Sequence, residues 1–162
     1  MLALKKFPKF WRCLACGDCC RHLVGRKFGA AVTSREKQRL EVLASRRTVS
    51  VHFLPLASNG FAVTLWQFAD EVCPFLDKTT NFCKIYEWRP ALCRAFPLMP
   101  SGLGECESLR KDAGRYKIMW PPGQLAHGTE YFTTVLPLMR SAHKVYNLNL
   151  GRWEKNPNHV RV

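Results

Sequence analysis

The chain has 162 residues, enough for one domain with its own hydrophobic core, and 47% of them are hydrophobic, as is usual for globular proteins. Lysine and arginine number 25 against 12 aspartates and glutamates, so the formal net charge is +13. No apolar run approaches the ~20 residues that span a bilayer, and no secretory signal is visible. The sequence therefore argues against a membrane span and predicts an intracellular, cytoplasmic protein.

The positive charge is concentrated near the first cysteines. Residues 1–47 hold twelve basic side chains and three acidic ones, and so carry +9 of the total charge. A field of this size favours polyanionic partners such as RNA, DNA or an acidic membrane surface, and the alternative is a basic surface that binds no partner. Of these we expect RNA, such as ribosomal RNA in a ribonucleoprotein.

Residues 1–12 read as an N-terminal arm in which bases alternate with aromatic side chains. Such an arm can follow phosphates and stack on bases, or its aromatic groups can cover the core of the domain, and the sequence leaves both interpretations open. Residues 151–162 read as a basic C-terminal tail. The predicted nucleic-acid-binding residues are Lys5, Lys6, Lys9, Phe10, Trp11, Arg12, Arg26, Lys27, Arg46, Arg47, Arg152 and Trp153.

A single cysteine-cluster domain is predicted over residues 13–150, and it begins with the segment Cys-Leu-Ala-Cys-Gly-Asp-Cys-Cys. Two residues between cysteines allow a turn to direct two sulfurs at one metal, and Gly17 tolerates the positive φ that such a turn needs. Cys19 and Cys20 are adjacent, so in an extended chain their side chains point in opposite directions. One thiol can then serve the turn while the other reaches the later cysteines.

The middle of the chain predicts a helix followed by a hairpin. Thr33 and Glu36 have the spacing of a capping box, and apolar residues follow through Ala44. Residues 48–56 and 61–68 are rich in β-branched and aromatic residues, and Asn59-Gly60 between them is a hairpin signal.

The later part of the chain predicts loops and two more helices. A short helix that begins at Arg89-Pro90 would carry Cys93. Residues 97–123 are rich in proline and glycine and read as loops, and residues 129–147 read as a long helix that Pro137 kinks. We therefore expect a small α+β domain with one β-hairpin, a few helices and long loops that cysteine-ligated metal staples together.

Eight cysteines in an intracellular protein favour metal ligation over disulfides. They lie between residues 13 and 106, and the spacing of the last four is not that of a zinc ribbon. Cys13, Cys16 and Cys19 have the spacing of a bacterial ferredoxin, and Cys73-Pro74 imitates its remote cysteine. A [4Fe–4S] cluster and Zn²⁺ remain near-equal alternatives, in one or two sites.

The C-x-x-C-G-x-C-C segment, the later CPFL and the stretch CKIYEWRPALCRAFPL together resemble the CxxCxxCC (YkgJ-like) family of zinc- or iron-chelating cysteine-cluster proteins. The resemblance covers about residues 13–99. It implies metal binding, and the ligands that it implies are Cys13, Cys16, Cys19, Cys20, Cys73, Cys83, Cys93 and, as the eighth, Cys106. Flagellin lysine N-methylases carry a related motif and an iron–sulfur centre, but this chain is shorter and has no glycine-rich nucleotide loop.

Two functions follow from these observations. The first is a metal-stapled module that docks on RNA and catalyses nothing, with no small-molecule substrate identified. The alternative is an iron–sulfur redox or modification enzyme, or an accessory to one, related to the flagellin lysine N-methylases. The sequence offers no pair of groups for acid–base catalysis, so we do not predict catalytic residues.

Overall fold

The computed structural model describes residues 7–21, 31–98, 106–112, 115–147 and 149–159. In this part of the chain it contains seven strands and four helices, together with short 3-10 turns at Asp18–Cys20 and Tyr86–Trp88. The strands are β1 Phe7–Phe10, β2 Ala31–Thr33, β3 Phe53–Ser58, β4 Val63–Phe68, β5 Tyr116–Met119, β6 Lys144–Asn147 and β7 Arg152–Lys155. The helices are α1 Ser34–Arg46, α2 Ala91–Ala95, α3 Glu107–Asp112 and α4 Pro122–Ser141. The predicted α+β class is confirmed.

Five strands form an antiparallel sheet in the order β2-β4-β3-β6-β7, and β1 and β5 form a separate parallel pair. The predicted hairpin is the β3–β4 unit. Its turn is held by the Asn59 carboxamide oxygen, which accepts from the N–H groups of Phe61 and Ala62 at 2.9 Å each, while Gly60 has φ 94°. The Asn-Gly pair thus predicts the hairpin because the Asn59 side chain stabilises its turn.

The hydrophobic core lies on both faces of the larger sheet. Because successive strand residues point to opposite faces, Ala31 packs with α2 and α4, while Val32 packs with α1. Tyr131 and Val135 of α4 are fully buried on the first side. On the second side, Cys73 and Cys83 pack against the core, so this core supports the second cysteine region directly.

The capping box at the start of α1 is confirmed. Thr33 Oγ1 accepts from the Glu36 N–H at 3.2 Å, and the Glu36 carboxylate accepts from the Thr33 N–H at 2.9 Å. The same Glu36 side chain also accepts from the N–H of Ala91 at 2.7 Å. One carboxylate therefore fixes the start of α1 and the start of the helix that carries Cys93.

The end of the chain differs from the prediction. The long helix begins at Pro122 and ends at Ser141, so the prediction that it runs through residue 147 is wrong: Lys144–Asn147 form β6, which pairs with β3 and β7. Residues 97–123, which were predicted to be loops, also contain α3 and β5. The sequence also predicts a short strand over residues 21–28, and residues 22–28 lie outside the described ranges.

None of the helices in the described ranges is long and apolar enough to cross a bilayer.

Candidate metal centre

The first cysteine turn is a tight loop that depends on Gly17. Gly17 has φ 78° and precedes the 3-10 turn Asp18–Cys20, in which the Cys20 N–H donates to the Gly17 carbonyl at 3.0 Å. The positive φ expected for Gly17 is therefore confirmed. The loop turns the chain back on itself, so Cys13, Cys16 and Cys19 face a common space.

Two contacts fasten this turn to the second cysteine region. The Cys73 N–H donates to the Cys20 carbonyl at 2.7 Å. The Arg21 guanidinium donates to the Cys16 carbonyl at 2.8 Å and also to the Asn81 carboxamide oxygen. Arg21 therefore clamps the first turn to the loop that leads to Cys83.

The loop before Cys83 is organised by Asp77. Its carboxylate accepts from the N–H groups of Thr79 at 2.9 Å and Thr80 at 3.1 Å, and its own N–H donates to the Phe82 carbonyl at 2.9 Å. The two backbone N–H groups, Thr80 first, hold the pKa of Asp77 below its ordinary value. The loop returns the chain to the bridge between Leu76 and Cys83.

The last cysteine, Cys106, reaches the site through α3. Its residue is only 5% exposed, and the helix that follows lies against the first turn, where Ser108 Oγ donates to the Arg12 carbonyl at 3.2 Å. The nearby Trp11 packs on Trp120 with ring centroids 5.8 Å apart. β1, the first cysteine turn and α3 thus form one side of the site.

These elements surround a cavity of about 90 Å³. The volume is several times the ~15 Å³ that one water-sized atom needs. All eight cysteines line the cavity, and all eight are free thiols: Cys13, Cys16, Cys19, Cys20, Cys73, Cys83, Cys93 and Cys106. The structure therefore brings together every cysteine that the sequence predicts as a ligand, while their ligand roles remain predictions.

The inner thiols act on one another electrostatically. Burial, and then the neighbouring Cys19 and Cys83, raise the pKa of Cys93 to about 12. For Cys20 the hydrogen bond with Cys19 lowers the pKa, but the hydrogen bond with Cys73, burial and further thiols outweigh it and raise the pKa above its ordinary value. Cys19 and Cys20 have their sulfurs 3.9 Å apart. This crowding disfavours several thiolates in one place unless a cation neutralises them.

The donor set fits a soft metal centre. Zinc and iron–sulfur clusters both take thiolate ligands, and the thiols must lose their protons when the metal binds. Burial raises the pKa of both Cys83 and Cys93, and the nearby Arg89 guanidinium opposes this shift by favouring their thiolate forms. When bound, an iron–sulfur cluster would supply electron transfer, whereas zinc would supply a structural cross-link.

A further polar group on the cavity wall lacks a partner. The indole Nε1 of Trp11 is buried and has no hydrogen-bond acceptor among the described residues, although Trp11 lines the cavity. An N–H donor buried without an acceptor costs free energy.

The predicted nucleic-acid residues lie on separate elements. Lys9 already has partners within the protein, because it pairs with Asp112 at 2.7 Å and lies over the Tyr116 ring. Trp11 belongs to the cavity wall. Phe10 is 59% exposed, and Arg12, Arg46, Arg47 and Arg152 are exposed as well. Trp153 is half-buried against Tyr146 in the β6–β7 hairpin. Lys5, Lys6, Arg26 and Lys27 lie outside the described residues.

Sequence reasoning missed several supporting residues. In the sequence, Arg21 is one of many basic residues and Glu36 is part of a helix cap. Their contacts, Arg21 with Asn81 and Glu36 with Ala91, span tens of residues, so no local pattern reveals them. Arg94 pairs with Glu130 and so ties α2 to α4. Asp18 and Glu107 were not considered as ligands, although each stands within two residues of a cysteine.

Comparison with known proteins agrees with this picture. The CxxCxxCC family model, described as "Putative zinc- or iron-chelating domain", matches residues 12–121. The uncharacterized protein MJ0661 of Methanocaldococcus jannaschii is 34% identical over 88 residues, which are 54% of this chain and 44% of that protein. The chain thus spans less than half of the length of this relative. No solved structure matches the chain.

Proposed function

This chain belongs to the CxxCxxCC family, whose model matches more than half of its length, and we propose that it holds an iron–sulfur cluster or zinc in the cysteine cavity and docks on RNA. One observation carries the metal-binding part: all eight cysteines, from four separate parts of the chain, line one cavity as free thiols. Structural packing alone does not require eight thiols to meet, since ordinary apolar residues fill a core as well.

The metal is identified by analysis of the protein purified without oxygen. We expect either broad visible absorption with about four irons and four sulfides per chain, or a colourless protein with stoichiometric zinc. A matched pair of variants tests the site: C93S removes a cavity thiol, whereas S45A changes an exposed hydroxyl group on α1 and leaves every thiol in place. The proposal fails if anaerobically prepared protein binds neither metal, or if C93S retains the metal content and spectrum of the wild type.

The RNA-docking part is supported by charge. The net charge of +13 and the exposed arginines Arg12, Arg46 and Arg152 favour a polyanionic surface. Each phosphate that a basic side chain neutralises releases counterions, so binding weakens as salt rises. Because Arg47 also bears on the pKa of Cys83, it is a poor choice for a variant that should leave the metal site intact.

RNA binding is tested by fluorescence anisotropy across a potassium chloride series. The variant R46A/R152A should weaken binding and reduce the slope of log K against log salt by about 0.7 for each lost contact with a single strand. The control K78A/R115A removes the same charge from exposed positions elsewhere and should keep the slope. Salt-independent binding, or equal slopes for R46A/R152A and the wild type, would contradict RNA docking.

The enzyme alternative has one observation in its favour. The cavity wall includes the exposed Cys13 and the aromatic side chains of Phe82 and Tyr86, with Arg89 over the Tyr86 ring at 3.6 Å. A reactant therefore has a route to the thiol side of the cavity. Reversible reduction of the purified centre, followed by a change in its spectrum when an electron acceptor is added, would favour the redox function over a purely structural one.

A further inference from the structure

Three different ligand atoms converge at the edge of the cysteine cavity. The Cys16 sulfur and one carboxylate oxygen each from Asp18 and Glu107 all lie within 4.8 Å of one another. In the described part of the chain, no other set of three or more cysteine, histidine, aspartate or glutamate ligand atoms is as compact. All three side chains are half-buried, so water and ions can reach them.

The convergence is produced by the fold. Cys16 and Asp18 flank Gly17, whose left-handed conformation brings them to the same side of the first turn. Glu107 begins α3, which is docked on that turn through the Ser108–Arg12 hydrogen bond and through Arg110, which contacts Asp18 at 3.4 Å. The three groups therefore come from two segments that lie about 90 residues apart in the chain but are held together by contacts of their own.

We propose that Cys16, Asp18 and Glu107 form a second metal site, for a divalent zinc-like or ferrous ion, on the rim of the thiol cavity. A thiolate with two carboxylates suits such borderline ions, because zinc accepts sulfur and carboxylate oxygen alike. The inference deepens the proposed metal-binding function and rests on it only in requiring that Cys16 be a free thiol, as it is in the structure. It adds carboxylate ligands to a centre that the sequence describes only by its cysteines.

Electrostatics supports a cation at this position. Cys16, Asp18 and Glu107 are anionic when ionised, and their ligand atoms lie within 4.8 Å of one another in a protein whose net charge is +13. A divalent ion between them removes the repulsion and uses all three donors.

Two cations that pair with the carboxylates can give way to a metal ion. Arg110 and Lys111, which pair with Asp18 and Glu107, have side chains 57% and 64% exposed. Exposed ion pairs are weak, so both cations can move into solvent when a metal ion binds.

The number of protein ligands also determines whether the bound ion has an open coordination position. Three protein ligands leave a coordination position for water or a substrate atom, as in catalytic rather than structural zinc sites. An ion held in this way would be accessible to solvent and would exchange readily, because all three of its protein ligands are half-buried.

The test compares metal binding by holoprotein variants prepared without oxygen. Cobalt(II) serves as the probe, and total bound metal is the native iron and zinc plus the cobalt taken up at saturation. D18N/E107Q should bind one ion per chain fewer than the wild type, or bind its last ion at least about tenfold more weakly, with loss of a thiolate-to-cobalt absorption band. D112N is the control, because Asp112 lies on the same helix and pairs with Lys9. It should bind the same number of metal ions as the wild type, with the same affinity.

The outcomes separate this proposal from the previous one. Equal stoichiometry and affinity for D18N/E107Q and the wild type would overturn the rim site, whatever the inner thiols hold. Unchanged inner iron, sulfide or zinc in D18N/E107Q, together with the loss of one cobalt ion, would support it. The wild type could hold no iron or zinc on the inner thiols and still bind one cobalt ion more than D18N/E107Q. That result would contradict the inner metal centre and support the rim site. Circular dichroism of D18N/E107Q and of the single variants D18N and E107Q shows whether these proteins are folded, and so excludes unfolding as the reason for a lost cobalt ion.

Discussion

Gly17 is the residue on which the first cysteine turn depends, because it combines a φ of 78° with a close neighbour. A Cβ atom at this position would lie 2.5 Å from Nη1 of Arg21, whose guanidinium is held by Cys16 and Asn81. We therefore expect G17A to lower the free energy of unfolding by about 1–2 kcal/mol, the usual cost of left-handed backbone for an L-residue. Urea unfolding of the metal-loaded protein measures this change.

A matched control is available in α4. A Cβ atom at Gly123 meets no heavy atom within 4 Å, and the residue lies in the first turn of the helix. G123A should therefore leave the protein equally stable or up to about 1 kcal/mol more stable. If G17A were as stable as G123A, the turn would not depend on the glycine.

Asp77 makes the loop before Cys83 sensitive to acid. Its folded-state pKa lies below the ordinary value of 3.8, because the N–H groups of Thr80 and Thr79 bind the ionised form. The stabilisation is therefore fully present above pH ~4 and is lost as the pH falls through the depressed folded-state value. We expect D77N to be less stable than the wild type at neutral pH and to converge with it in acid.

Denaturation of both proteins between neutral pH and about pH 3 tests this expectation. The amide of Asn retains an oxygen acceptor, so D77N isolates the contribution of charge. A stability difference that did not change over this pH range would assign the effect to loop packing instead.

At the scale of elements, Glu36 connects two helices that local sequence rules treat separately. Its carboxylate accepts from the N–H groups of Thr33 and Ala91, at the starts of α1 and α2. E36A removes both acceptors, and we expect a loss of about 2–3 kcal/mol in the free energy of unfolding, together with increased hydrogen exchange at the start of α2.

The control for this prediction is E41A on the same helix. Glu41 makes an exposed pair with Lys37 at 2.7 Å, so its loss should change stability by no more than about 0.5 kcal/mol. Equal effects of E36A and E41A would mean that the contact with Ala91 does not stabilise α2.

The elements also show which parts of the fold the sequence makes predictable. The α1 cap and the β3–β4 turn are each formed by residues three or fewer apart, so their patterns identify them. Strand β6 was missed because Val145 and Tyr146 continue the apolar spacing of the preceding helix, and only pairing with β3 and β7 makes them extended. Helix α3 is short, lies in a glycine-rich stretch and gains its position by docking on the first cysteine turn. The cysteines were predictable as a group because thiols have a restricted chemistry, whereas Asp18 and Glu107 depend on that docking.

At the scale of the whole molecule, metal in the cysteine cavity would join segments that lie far apart in the sequence. Hydrogen bonds from Arg21 and from the Cys73 N–H already connect the first cysteine turn to the second region, while the five-stranded sheet has a core of its own. We expect chelation under reducing conditions to lower the free energy of unfolding by about 3 kcal/mol or more, the linkage expected for a ligand at 100 times its Kd. Hydrogen exchange should increase around the cysteine turns and little in β3 and β4.

Apo protein prepared in parallel and then reloaded with metal is the control for irreversible damage. Recovery of protection around Cys20 and Cys73 would show that the metal, rather than handling, holds these segments. Uniform exchange across the sheet and the turns after chelation would contradict the view that the sheet forms an independent core.

The parallel pairing of β1 with β5 has a consequence for biosynthesis. The thiols of residues 13–20 are translated well before Tyr116–Met119, the partner strand of β1, and α3 can cover the turn only after residue 112 has been made. The cavity therefore cannot close until residues 106–119 have left the ribosomal exit tunnel, because long-range pairing must wait for its distant segment. The first cysteines of a nascent chain thus stay unprotected while the intervening segment is made, and a metal that all eight thiols bind could be inserted only after Cys106.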